Sequence, residues 1–280
     1  MPTFDTPEPI SVTSYVYAGS ILFSAGDRLD TVVEVRPRNP KKDLDTRAAD
    51  QTEVACTGGI LTITTPKANL LGRGGTVDVT VELPAGSNID VTGAATQVVG
   101  EGRLGEVRVK STAGDVRLDT AGAVQLKVAH ASSVVDRVEG SADISSSTGN
   151  VRVGIVDGPA VLKNSHGTTI VGTVTGDLRV SGAHGAVDIE RAEASVTGTT
   201  THGSLRIGQV ARGDVQLETS NGSIEIGVRE GTAAWLDVSS NRGQVRNALT
   251  ASEAPEETED TVKIRARTNW GNIDVRRARA

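Results

Sequence analysis

The phrase Gly185-Ala186-Val187-Asp188-Ile189 sets the pattern of this chain, and phrases of the same form return roughly every 18 residues. Each phrase opens with a glycine and then alternates apolar with polar residues. The leading glycines of the clearest phrases are Gly114, Gly149, Gly167, Gly185, Gly203 and Gly222. A fixed period of about this length is typical of solenoids, in which successive coils of one chain stack on each other.

A second phrase follows within each period, led by Gly105, Gly122, Gly140, Gly158, Gly176, Ala194 and Gly213. The position four residues after this leader is occupied by Val109, Leu126, Ile144, Leu162, Val180, Gly198 and Leu217. The position two residues before it, or three residues before Gly213, is occupied by Val138, Val156, Val174, Ala192 and Val210. Such columns predict a core between stacked coils. The fold class predicted is all-β: a single-stranded parallel β-helix of about 18 residues per coil, right-handed as the common form, with an N-terminal β cap.

The predicted domain organisation follows the change in pattern along the chain. We expect an N-terminal β-strand cap over 1–84 that is continuous with the solenoid, and solenoid repeats over 85–248. An acidic loop is expected over 249–261, and a last coil with a basic tail over 262–280. Within the cap, the charged stretch from Arg36 to Asp50 is predicted to be a loop.

Two features are predicted for the coils from Gly185 onward. Exposed charges three residues after each leading glycine should alternate in sign along one ridge, in the order Asp188, Arg206, Glu225, Arg246 and Asp274. Trp235 and Trp270 fall in the last coils, where bulky side chains are expected to close the open end of the core.

Composition narrows the classes of function. Aromatic residues make up 2% and there are 32 glycines, which fits a thin core of small aliphatic side chains. The net charge of -6, with both signs interspersed, predicts no nucleic-acid partner. The single cysteine, Cys56, cannot form an intramolecular disulfide. No secretory signal or long apolar run is visible, so we expect a cytoplasmic location without membrane insertion, with surface display as the alternative.

The candidate binding residues share one repeat position, directly before a leading glycine: His166, His184, His202 and Asn221. Their side chains should form a column with rings about 5 Å apart. Such a column could bind a transition metal or respond to pH. The alternative, which we prefer, is turn chemistry, because Asn and His are tolerated in the left-handed conformation that a corner can require.

Polar residues also recur just before this column, as Asn164-Ser165, Thr200-Thr201, Ser220-Asn221, Ser240-Asn241 and Thr268-Asn269. We expect them to hydrogen-bond along the stack and stabilise its corners. A glycan-binding groove is the alternative, although the coils that span residues 85–230 contain no aromatic side chain on which a sugar ring could stack. The chain has no Gly-x-Ser-x-Gly or His-Glu-x-x-His motif, so no catalytic residue, metal site or cofactor is predicted.

Several phrases give the chain a family resemblance. These are Val77-Asp78-Val79-Thr80-Val81-Glu82-Leu83-Pro84-Ala85-Gly86-Ser87, Leu104-Gly105-Glu106-Val107-Arg108-Val109, Gly114-Asp115-Val116-Arg117-Leu118 and Val174-Thr175-Gly176-Asp177-Leu178-Arg179-Val180. Through them the sequence resembles the bacterial β-strand-repeat proteins of the "putative adhesin" family, a group of unknown function. The resemblance covers about Ile10 to Val275 and implies a parallel β-helix without assigned catalytic residues.

The sequence therefore favours a noncatalytic structural or interaction protein, adhesin-like or a scaffold. Its expected partner is another protein or a second copy of itself, because the uniform repeat offers flat ladders but no catalytic constellation. The alternative function is binding or cleavage of polysaccharide by a β-helix protein.

Overall fold

The computed structural model describes residues 1–67, 74–249 and 260–278. The chain divides into two compact units, Met1–Glu139 and Gly140–Ala280. Both units are built from β-strands, and the chain is all-β with a parallel β-solenoid-like arrangement, as predicted. Most of the predicted acidic loop, residues 250–259, and the end of the basic tail, residues 279 and 280, lie outside the described residues.

The first unit contains strands β1 to β9 and a short helix. Their bounds are β1 Thr3–Asp5, β2 Ser11–Gly26, β3 Asp30–Pro37, α1 Asp43–Asp50, β4 Glu53–Thr57, β5 Ile60–Thr64, β6 Val77–Pro84, β7 Asn88–Ala113, β8 Val116–His130 and β9 Ser133–Val138. Strand β2 pairs in parallel with β7 along one edge and with β5 and β6 along the other. Strand β8 continues the parallel stack after β7, and β9 follows β8.

The antiparallel pairings described in this unit lie in its N-terminal part. Strand β3 pairs with β6 and with β1, and β4 pairs with β5. The long β2 instead lies in register with β7, with Ile21 opposite Val98. Residues 11–26 therefore take the place of one coil in the parallel stack, and the antiparallel strands lie beside them.

The prediction of a loop from Arg36 to Asp50 was wrong, because residues Asp43–Asp50 form helix α1. Two aspartates lie in its first turn, where negative charge is favoured by the helix dipole. The helix packs closely on Gly75, since a Cβ there would lie 2.1 Å from the Leu44 carbonyl oxygen. The Thr76 amide donates a 2.9 Å hydrogen bond to Asp45 Oδ1. These tertiary contacts hold a helix that is too short to be stable by itself.

The second unit contains strands β10 to β23. Their bounds are β10 Ala142–Thr148, β11 Val151–Val156, β12 Ala160–His166, β13 Thr169–Val174, β14 Leu178–His184, β15 Val187–Ala192, β16 Val196–His202, β17 Leu205–Val210, β18 Gly213–Asn221, β19 Ile224–Val228, β20 Ala233–Arg242, β21 Val245–Asn247, β22 Thr261–Trp270 and β23 Ile273–Arg277. All the pairings described among them are parallel.

Register in the second unit follows the period of the sequence. Ala142 lies opposite Ala160, and His166 lies opposite His184. The predicted core columns are confirmed: Ile144, Leu162, Val180, Leu217, Val156, Val174, Ala192 and Val210 are each at most 1% exposed. In the first unit, the column members Val109, Leu126 and Val138 are likewise buried.

The leading glycines are required because neighbouring coils touch through their backbones. At Gly185, φ is 143° and a Cβ would lie 2.1 Å from the Gly167 carbonyl oxygen. At Gly203, a Cβ would lie 1.9 Å from the Gly185 carbonyl oxygen. Any side chain at these corners would therefore force the coils apart.

The order of the last coils differs from the order of the chain. Strand β22 lies between β18 and β20, and β23 lies between β19 and β21. The predicted charge ridge is therefore wrong at its end. Asp274 lies opposite Glu225 and separates it from Arg246. The part of the ridge that follows chain order holds, with Asp188 and Arg206 forming a 2.8 Å ion pair.

The prediction that Trp235 and Trp270 close the core was also wrong. Trp235 is 63% exposed and Trp270 is 53% exposed. In β20 and β22 successive side chains point to opposite faces. Trp235 lies opposite Lys263 on the outer face, whereas the neighbouring position pairs Leu236 with the buried Ile264. The alternation of side chains along the strand, and not the size of the side chain, decides whether each indole faces the core or the solvent.

Crosslinking can test the order of the coils. In a Cys56→Ser background, the pair Glu225→Cys and Asp274→Cys should form a disulfide on mild oxidation, because adjacent strands lie within the reach of the bond. The pair Glu225→Cys and Arg246→Cys should stay reduced, because β23 separates the two positions. Mass spectrometry of proteolytic fragments reads out both results.

The matched control is Arg206→Cys with Glu225→Cys, a pair that is adjacent in either order of coils. It should form the disulfide under the same conditions. If the Glu225→Cys/Arg246→Cys pair crosslinks and the Glu225→Cys/Asp274→Cys pair does not, the coils follow the chain order instead.

Candidate functional site

The predicted binding column exists as a row of strand ends. Strands β12, β14, β16 and β18 end at His166, His184, His202 and Asn221 respectively. Each of these residues lies opposite the next across the parallel pairs. The structure therefore brings together all four residues that the sequence selected.

Two further residues continue the row because residues 261–277 are inserted between coils. Trp270 lies opposite Asn221, and Arg242 lies opposite Trp270. We call the row of His166, His184, His202, Asn221, Trp270 and Arg242 the corner ladder. The signal that could have identified the two added members is their place directly before Gly271 and Gly243.

The aromatic side chains of the corner ladder stack on one another. The ring centroids of His166 and His184 are 5.0 Å apart with an interplanar angle of 22°. The centroids of His184 and His202 are 4.8 Å apart with an angle of 15°. The Arg242 guanidinium lies 4.3 Å from the centroid of the Trp270 ring, within range of a cation–π interaction. All six side chains are exposed.

Backbone hydrogen bonds fix the ladder and leave its side chains uncommitted. The Gly185 amide donates to the His202 carbonyl oxygen at 2.9 Å, and the Gly222 amide donates to the Trp270 carbonyl oxygen at 2.9 Å. Within the described part of the chain, the three imidazoles have only ring contacts with one another as side-chain interactions. Their nitrogens are therefore available to a ligand.

The turn chemistry preferred on sequence grounds was wrong. Positive φ is found only at glycines among the described residues, including Gly167, Gly185 and Gly203. The corner bends at the glycine, and the preceding residue ends a strand in extended conformation. The conformation of the corner therefore does not select histidine or asparagine over other residues.

A second row of polar side chains lies beneath the corner ladder. It confirms the predicted hydrogen bonding along the stack at Asn164, Ser240 and Thr268, whereas the donor in the coil of Ser220-Asn221 is Thr219. We call this row the inner ladder. Its donors to glycine carbonyl oxygens of the neighbouring coil are Asn164 Nδ2 to Gly149 at 3.0 Å, Thr219 Oγ1 to Gly203 at 3.1 Å, Thr268 Oγ1 to Gly222 at 3.0 Å and Ser240 Oγ to Gly271 at 2.8 Å. Thr200 belongs to the same row and lies opposite Thr219, but its buried hydroxyl has no partner in the described structure.

Two neighbouring threonines of the inner ladder should respond oppositely to the same substitution. Thr219→Val removes a hydrogen bond and leaves the Gly203 carbonyl without it, so it should lower the free energy of unfolding by about 1 kcal/mol. Thr200→Val replaces an unpartnered buried hydroxyl with a methyl group of similar size, so it should raise that free energy by about 1 kcal/mol.

Urea unfolding followed by circular dichroism measures both variants. The two residues are 5% and 7% exposed, so a difference in burial does not explain opposite signs. A loss of stability of equal size in both variants would mean that the Thr200 hydroxyl is hydrogen-bonded.

The corner ladder does not form a metal centre with three or more protein ligands among the described residues. No group of three or more His, Cys, Asp or Glu residues in the described ranges is arranged to hold a metal ion. The physical reason at the ladder is that nearly parallel rings direct their nitrogens side by side and not toward one point.

A groove lies beside Trp235, on the outer face of three neighbouring strands. It has a volume of about 520 Å³ and is lined by residues that include Trp235, Asp214, Gln216, Lys263 and Arg265. An exposed indole beside carboxylate, amide and cationic groups offers both a stacking face and hydrogen-bonding partners.

The only helix among the described residues is α1, and no helix there is long and apolar enough to span a membrane.

Comparison with solved structures found chains that align with most of this chain. A crystal structure of a "putative adhesin" from Parabacteroides merdae has a TM-score of 0.48 and 13% identity, with 80% of this chain and 94% of that chain covered. One from Parabacteroides distasonis has a TM-score of 0.44 and 12% identity, with 98% and 95% covered. A "putative lipid binding protein" from the same species has a TM-score of 0.40 and 13% identity, with the same coverage.

No family model and no curated protein matches the chain.

Proposed function

We propose that the chain is a noncatalytic interaction protein, adhesin-like, whose contact surface is the corner ladder. The observation that carries this proposal is the unbroken row of six exposed side chains at one corner of the second unit. Aromatic rings, an amide and a guanidinium are enriched where proteins meet their partners. Because the strand ends are fixed by backbone hydrogen bonds, little backbone conformational entropy is lost when a partner binds.

The proposal assigns no chemical step to the chain. Among the described residues, the histidines contact one another and not a nucleophile or a carboxylate, so this arrangement does not offer the paired groups that acid–base or nucleophilic catalysis uses. Exposed rings in a regular row suit contact with a repeating or flat surface.

The proposal also includes the finer points of the fold. The 18-residue register from β10 to β17 supports coils of about 18 residues, and the general preference of parallel crossovers supports a right-handed solenoid.

We also propose self-association through the edges of β20 and β21, because the described pairings of these strands lie on one edge only. Sedimentation velocity over a range of protein concentrations measures it. The cytoplasmic location stays a prediction.

Polysaccharide binding is the second candidate, and one observation favours it. The aromatic platform that the coils up to residue 230 lack is supplied by Trp270 in the corner ladder and by Trp235 at the groove. Both indoles are more than half exposed. Exposed aromatic rings beside polar groups are suited to stacking on sugar rings.

A comparison of matched variants tests both candidates. Wild-type protein and the ladder variant His184→Ala/Trp270→Ala are presented to solubilised cell-surface proteins and, in parallel, to a glycan microarray. We expect wild type to bind a partner saturably and the ladder variant to bind it at least about tenfold more weakly, because the central residues of an interface carry most of its binding free energy. Signal on the protein arm supports the leading proposal, and signal on the glycan arm supports the second.

The control is Asp188→Ala/Arg206→Ala, which removes an exposed ion pair from the ridge and leaves the ladder intact. It should bind as wild type does. Equal binding by the ladder variant, or no binding by wild type on either arm, would contradict the proposed role of the ladder.

A further inference from the structure

The three histidines of the corner ladder differ from the rest of the row in the chemistry that they offer. Imidazole nitrogen is a preferred ligand of Zn²⁺, Ni²⁺ and Cu²⁺. His166, His184 and His202 place three such groups at successive positions of one exposed column. Their centroids are 5.0 and 4.8 Å apart. No other residue type intervenes between them.

Two neighbouring imidazoles of this column can reach a single ion. Metal–nitrogen bonds of about 2.0–2.1 Å require the two nitrogens to approach to roughly 3 Å. The rings are exposed, so rotation about their side-chain bonds can turn two nitrogens toward one ion without moving the strands. The strands themselves are fixed by backbone hydrogen bonds such as the one from Gly185 N to His202 O. The chelate is therefore preorganised at the backbone, and only the rings need to adjust.

We propose that the histidine column is a two-imidazole binding site for a borderline divalent transition metal, with His184 as the ligand that every chelate shares. One ion is held either by His166 with His184 or by His184 with His202. Water or a group from a partner completes the coordination. This site goes beyond the interaction role proposed above and does not rest on it.

The sharing of His184 predicts an asymmetry among single substitutions. His166→Ala leaves the pair His184 and His202, and His202→Ala leaves the pair His166 and His184, so both variants should still bind one equivalent. His184→Ala separates the two remaining histidines by a full coil and leaves no adjacent pair. Its affinity should fall at least about tenfold, because the second ligand no longer acts at high effective concentration.

Asn221→His tests the geometry by gain of function. Asn221 lies opposite His202 in the same column, so this substitution makes a row of four imidazoles. Two independent adjacent pairs then exist, His166 with His184 and His202 with the new side chain. The stoichiometry should rise from one to two ions per chain.

The experiment is calorimetric titration of tag-free full-length protein with Zn²⁺. Cu²⁺ electron paramagnetic resonance then counts the nitrogens bound to the ion. His130 lies in the first unit, where it pairs with Ala113 and not with another histidine. His130→Ala is therefore the matched control, and it should leave the titration unchanged.

The expected result is one equivalent for wild type with two coordinated nitrogens, loss in His184→Ala and two equivalents in Asn221→His. Equal binding by wild type and His184→Ala, or a single coordinated nitrogen in wild type, would overturn the proposal. The result is independent of whether a protein or glycan partner is found, because Zn²⁺ and Cu²⁺ are the only ligands added.

Discussion

The rest of the second unit depends on the contact between the backbones of successive coils at the corner glycines. A Cβ at Gly167, Gly185 or Gly203 would lie about 2 Å from a carbonyl oxygen of the neighbouring coil. The amide of each of these glycines donates a hydrogen bond to the strand end on its other side. Because the backbones meet there, residues at the same place in successive coils lie at the spacing of adjacent β-strands.

Two rows of side chains follow from this contact, one on each side of the corner backbone. The inner ladder donates to the glycine carbonyl oxygens from within, as Thr219 and Thr268 do. The corner ladder points outward and contributes its carbonyl oxygens to the stack while its side chains stay free. The corner is therefore stabilised by groups that a ligand does not touch, and the outer row can vary from histidine to tryptophan without disturbing the coil.

The insertion of residues 261–277 between neighbouring coils changes the surface more than the core. In the core it adds one more layer of aliphatic side chains, and Ile264 and Ala266 are as well buried as the core side chains of the coils before them. On the surface it places Trp270 between Asn221 and Arg242, which creates a cation–π pair. It also places Asp274 beside Glu225, so two like charges are neighbours that would be separated by Arg246 if the coils followed the order of the chain.

Much of this arrangement could be predicted from the sequence, because a regular period identifies which residues are equivalent. The buried columns through Leu162 and Val174 and the stack of His166, His184 and His202 follow from it directly. The period does not say which coil lies beside which, so the place of Asp274 and the extension of the ladder to Trp270 were missed. The exposure of Trp235 was missed because size was weighed above strand parity. Helix α1 was missed because it depends on tertiary contacts with Gly75 and Thr76 and not on a local apolar pattern.

The most direct test of the stacking is a nuclear Overhauser spectrum of protein labelled only at histidine, of which the chain has four. Coils in register predict ring-to-ring cross-peaks between His166 and His184 and between His184 and His202. They predict none from His166 to His202, because His184 lies between these two residues. An absence of cross-peaks among all four rings would contradict the stacking, since the coils would then not lie in register at the corner glycines.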